Sequence, residues 1–71
     1  MTDEEKSIMA DAFYFLRDHG RPMRSAEPGA DEWWKRAAND ADAAIKKHGN
    51  ALLAVKLFPA IIDYYIDTIE L

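Results

Sequence analysis

Two histidines, an adjacent pair of tryptophans, a row of three acids and two serines are the side chains of this 71-residue sequence whose types can do chemistry. His19 and His48 each stand immediately before a glycine. As metal ligands they would need further donors, and neither has a glutamate at the Glu-x-x-His spacing. A histidine in front of a helix-ending glycine instead answers the last carbonyls and the negative end of the helix dipole. A structural role is therefore expected for both, with no metal site. Asp63, Asp67 and Glu70 recur at i, i+4 and i+7 on a helical period. Such a ridge can hold a divalent cation, imitate a row of phosphates, or simply be a solvated face whose like charges repel slightly.

Trp33 and Trp34 can stack a base, but their place on an apolar arc points to core anchoring. Ser7 and Ser25 have no His-Asp context, cysteine is missing, and no glycine-rich phosphate loop occurs. With no nucleophile, base or metal constellation, the expectation is a protein that is not an enzyme and needs no cofactor. Tyr14 and Tyr64 fall off the main apolar stripes of their segments. Tyrosine gives contact area at low entropic cost, so these two, with Asp63, Asp67 and Glu70, are the candidate partner-binding residues.

The elements that must position these residues are helical. Thr2 and Glu5 have the spacing of a capping box, Asp3 and Glu4 suit the positive end of the dipole, and Gly20 supplies a left-handed stop. A helix over 3–19 follows, with Ile8, Met9, Ala12, Phe13, Phe15, Leu16 and His19 on one face. Residues 20–30 hold two prolines and two glycines without apolar periodicity and read as a loop, with Met23 as a plug onto the core. Pro28 is an alternative first residue of the next helix. That helix is expected over about 31–48, with Trp33, Trp34, Ala37, Ala38, Ala41, Ala44, Ile45 and His48 on one arc, and Gly49 ends it. Asn50 is a suitable N-cap for a third helix over about 51–70. Pro59 removes a backbone donor and disfavours helix at Phe58, so this helix is expected to be kinked or split there. The fold class is all-α, a three-helix bundle in one domain over 1–71, with a core of Phe13, Leu16, Trp33, Ala37, Ala41, Ile45, Ile62 and Ile66.

The composition agrees with a small folded helical domain: 49% hydrophobic, 31% charged, three glycines and three prolines. The formal charge is −4 and the basic footprint of a nucleic-acid binder is missing, so no direct DNA or RNA binding is expected. No apolar run is long enough for a membrane span, and the start Met1-Thr2-Asp3-Glu4-Glu5 is acidic where a secretory signal is basic. A cytoplasmic protein is the expectation. At 8.1 kDa only about 60% of the unfolded surface can be buried. Meanwhile Leu52, Leu53, Val55, Leu57 and Phe58 point almost all around their helix. A helix apolar all round needs cover on every side, which makes Leu52, Leu53 and Leu57 candidates for self-association into a homo-oligomer.

The stretch Asp31-Glu32-Trp33-Trp34, Ala41-Asp42 and Lys46-Lys47-His48-Gly49-Asn50 resembles small helical proteins encoded by phages and integrative elements of Gram-positive bacteria. The resemblance covers roughly residues 31–66 and implies a mobile-element accessory protein, without assigning roles to residues. The resulting expectation is a small acidic interaction module that binds and inhibits a host protein such as a defence nuclease. The alternatives are an oligomeric nucleotide sponge or sensor using Trp33, Trp34, Arg21 and Arg24, and a plain regulatory or structural subunit.

Overall fold

The computed structural model describes residues 1–70 and contains three helices: α1, Asp3–His19; α2, Ala30–Lys47; and α3, Leu52–Glu70. There is no strand among the described residues. The capping box forms as its spacing dictates: the Glu5 amide donates to the Thr2 hydroxyl at 3.0 Å and the Thr2 amide to the Glu5 carboxylate at 2.7 Å. Hydrogen bonding from Thr2, first its backbone amide and then its side chain, holds the Glu5 carboxyl below its ordinary range. α2 closes in a Schellman arrangement. The Gly49 amide donates to Lys46 and the Asn50 amide to Ile45, both at 3.0 Å, with Gly49 left-handed at φ 63°. Asn50 is itself at φ 58°, so it completes this stop instead of capping α3, which begins two residues later.

Helix α3 runs without interruption through Pro59. A split therefore does not occur. Pro59 still leaves the Val55 carbonyl without its helical donor, but the flanking residues are held from the side: Phe58 is fully buried and Ile61 nearly so. Tertiary packing overrides the local preference of a single proline. α1 and α3 run parallel and α2 antiparallel to both. Tyr65, near the end of α3, meets both Phe15 near the end of α1 and Trp33 at the start of α2.

The core is Ile8, Ala12 and Phe15 from α1, Trp33, Ala37 and Ala41 from α2, and Ala54, Phe58, Ile61 and Tyr65 from α3. Trp33, Ala37 and Ala41 are where the periodicity places them; Ile45 and Ile62 are half-buried at the edge. Phe13, Leu16 and Ile66 are not core: they are 62%, 40% and 39% exposed. The apolar arc of α1 is wide enough to contain two stripes. The inner one is Ile8-Ala12-Phe15-His19, because turning it inward lets His19 reach its partners and the small Ala12 lets the helices approach. That leaves Met9-Phe13-Leu16 outside.

Candidate functional site

The seam between α1 and α2 is fastened by two histidine–aspartate pairs. His19, with only 6% of its side chain exposed, lies over Phe15 with ring centroids 4.2 Å apart. Its Nδ1–H donates to the Phe15 carbonyl at 2.8 Å and its Nε2–H to Asp40 at 2.9 Å. The His19 carbonyl in turn accepts the Trp33 indole N–H at 3.0 Å. At the other end His48 donates through Nε2–H to Asp11 at 2.6 Å, and the Lys47 ammonium reaches the same carboxylate oxygen at 2.9 Å. The Lys47 bond, helped by His48 and opposed by partial burial, holds the Asp11 carboxyl below its ordinary range.

The two pairs share one antiparallel register. Asp11 to His19 along α1 spans the same eight positions as Asp40 to His48 along α2. Sequence reasoning places both histidines near helix ends in structural roles but misses Asp11 and Asp40. That equal spacing is the signal, and it becomes readable only once the hairpin is assumed.

Both tryptophans are tied down by their indole N–H groups. Trp33 is 6% exposed, and the Trp34 indole N–H donates to the Met23 carbonyl at 2.8 Å while its ring packs edge-on to Trp33 at 4.8 Å. Trp34 therefore pins the 20–30 loop, and Trp33 the end of α1, to the head of α2, with Met23 packed against the core as a plug. Trp34 is half-buried, and Trp33 edges an open pocket shared with Met23, Glu32, Arg36 and Asp40. Arg21 and Arg24 are exposed on the loop and are not joined to the indole faces. Tyr65 is the one buried side chain among the described residues whose polar atom lacks a partner: its hydroxyl is fully enclosed, and burial pushes it up from the ordinary phenol range.

The remaining candidates lie on the outer side of the bundle. Asp63, Asp67 and Glu70 are all exposed on α3. Asp63 edges a shallow apolar groove between α2 and α3 formed with Ala38, Ala41, Ile45, Pro59 and Ile62. Val55 and Ile66, each 39% exposed, continue that stripe on the helical period. Tyr64, 59% exposed, is on the opposite flank of α3, where with Ala60 and Ile61 it faces Leu16 of α1. Tyr14 is separate from both: it lies on α1, edge-on to Phe13 and beneath the Arg17 guanidinium at 4.8 Å. The partner-contact candidates thus do not form one patch. Leu52 is 73% exposed at the start of α3, whereas Leu53 and Leu57 are half-buried against the core.

No group of three or more histidine, aspartate or glutamate side chains converges among the described residues, and no helix is long and apolar enough to cross a membrane. Comparison of the chain with protein-family models, with curated proteins and with solved structures returned no match.

Proposed function

We propose that this protein is a cytoplasmic protein-interaction module that works by docking the outer side of α3 onto a partner with a basic, partly apolar surface. The observation that carries the reading is the pairing of two unsatisfied features on one helix. An exposed apolar stripe, Val55-Pro59-Ile66 with half-buried Ile62, runs beside an acidic ridge, Asp63-Asp67-Glu70, none of whose members is in an ion pair among the described residues. Apolar area gives affinity, and a fringe of one charge sign steers encounter and selects the partner. The resemblance to mobile-element proteins supplies a setting: inhibition of a host protein, such as a defence nuclease, by occupation of its basic nucleic-acid groove.

The test is affinity capture from the native host with the tagged chain, followed by titration of the captured protein. An Asp63→Asn, Asp67→Asn, Glu70→Gln variant folds normally, binds more weakly at low salt, and shows a flatter salt dependence than the parent. Ile66→Lys abolishes capture. Undiminished binding by the triple variant at low salt would reduce the ridge to an ordinary solvated face and remove phosphate mimicry as the mechanism.

A further inference from the structure

A cavity of about 580 Å³ stands where the 20–30 loop meets α2, inside the range of small-ligand sites, about 300–1,000 Å³. Met23, Gly29 and Trp33 form its apolar part, and Glu32, Lys35, Arg36, Asn39 and Asp40 its polar part. A second depression of about 320 Å³ shares Met23 with it and adds Arg21, Arg24 and Glu27. None of these residues lines the α2–α3 groove, so the two surfaces are independent.

The helix presents this set for a simple reason. Glu32, Lys35, Arg36 and Asn39 follow at three- and four-residue steps along one face. That face is turned out because Trp33, Ala37 and Ala41 are turned in. Gly29, left-handed at φ 87°, lets the chain enter α2 with no side chain at the mouth; a Cβ there would meet only Met23, at 3.9 Å.

The two depressions together carry four cations against three acids, in a chain whose formal charge is −4. Two of those acids are engaged: Asp40 bonds His19 at 2.9 Å, and Glu27 accepts the Arg24 amide at 2.6 Å. None of the four cations is in an ion pair among the described residues. Asp31 and Glu32 have the i, i+4 spacing to pair with Lys35 and Arg36, yet neither pair closes. Elsewhere Arg17, Lys46 and Lys47 are all paired. Uncommitted cations around a concave surface concentrate anions there.

The rest of the lining selects among anions. Glu32 disfavours a bare phosphate, whereas a carboxylate is a good acceptor for ribose hydroxyls. Asn39 offers both a donor and an acceptor, and Met23 with the rim of Trp33 offers apolar contact to a flat ring. We infer that this cavity binds a nucleoside phosphate, with its phosphates at Arg36, Lys35 and the loop arginines, its ribose at Glu32 and its base against Met23.

Titration of the full chain with ADP in magnesium-free buffer, followed by backbone-amide and indole NMR signals, tests this. ADP shifts Met23, Gly29, Arg36 and Asn39 and saturates by millimolar concentration. Pyrophosphate, which lacks the ribose and base, and adenosine, which lacks the charge, each bind about tenfold more weakly. Arg36→Gln weakens ADP by about tenfold with the helical circular-dichroism signal intact, because a charge-assisted bond to phosphate is lost. Glu32→Gln weakens ADP several-fold and does not weaken pyrophosphate. Lys56→Gln, at a cation outside both depressions, leaves ADP binding unchanged. The absence of a saturable ADP shift at these amides would overturn the inference. So would equal binding of ADP and pyrophosphate, or equal losses from Arg36→Gln and Lys56→Gln.

Discussion

At His19 one buried ring satisfies a carbonyl of its own helix, a carboxylate of the next, and the face of Phe15, while its own carbonyl holds the Trp33 indole. Truncation to alanine removes the hydrogen bonds of the ring and leaves a cavity at the α1–α2 seam. His19→Ala is expected to cost about 2–4 kcal/mol in a urea titration. Tyr65 makes the opposite case. Its hydroxyl is enclosed without a partner, so Tyr65→Phe deletes a desolvated donor and keeps the ring. Stability should be unchanged or higher by up to about 1 kcal/mol, and a loss of similar size would show that the hydroxyl is bonded in solution.

Asp11 sets an acid limb. Its carboxyl is depressed in the folded state, so the native chain binds that proton less readily than the unfolded one. The stabilisation is complete above the ordinary carboxylate range and is lost as pH falls through and below it. Asp11→Asn should therefore cost about 1 kcal/mol at neutral pH and almost nothing near pH 2, a difference that paired urea titrations measure.

Among the elements, local signals were decisive wherever the chemistry was local. Thr2, Glu5, Gly20 and Gly49 delimit helices because each satisfies orphan backbone groups within a few residues, and the same physics operates in the short peptide and in the bundle. The boundaries of α2 and α3 depart from the periodicity by a single residue. The phase of α1 was not legible in this way. Its arc holds two equally apolar stripes, and the choice between them depends on Asp40, which belongs to another helix. For the same reason the His–Asp pairs escaped local reading.

Pro59 shows the balance at the element scale. The helix continues through it at the cost of one backbone hydrogen bond, so the residue is a liability that packing by Phe58 and Ile61 offsets. Pro59→Ala restores the donor to the Val55 carbonyl and should raise stability by about 1–3 kcal/mol in urea. Phe58→Ala, which opens the centre of the core, should cost about 3–5 kcal/mol.

The whole molecule is longer than its length requires. Its radius of gyration is 12.6 Å with extents of 41 × 21 × 17 Å, against about 11 Å for a compact chain of this size. Three helices of 17, 18 and 19 residues form a rod in which α3 has a neighbour on each side but none on its outer surface. The composition of α3 made this surplus visible in the sequence: its apolar residues outnumber what two short helices can cover. Which of them would be bare was not visible there. Leu53 and Leu57 turn partly inward, and the exposed role passes to Phe13, Leu16, Tyr64 and Ile66.

The central claim is that the outer side of α3, with its acidic ridge and the apolar stripe beside it, docks a partner protein. Site-specific photo-crosslinking in the native host tests it most directly, with the reactive group placed at Ile66 and, as a control, at Ala43, an exposed residue of α2 outside that surface. The account predicts a heteromeric adduct from Ile66 and none from Ala43. A bare chain at Ile66, or equal labelling at the two positions, would contradict it.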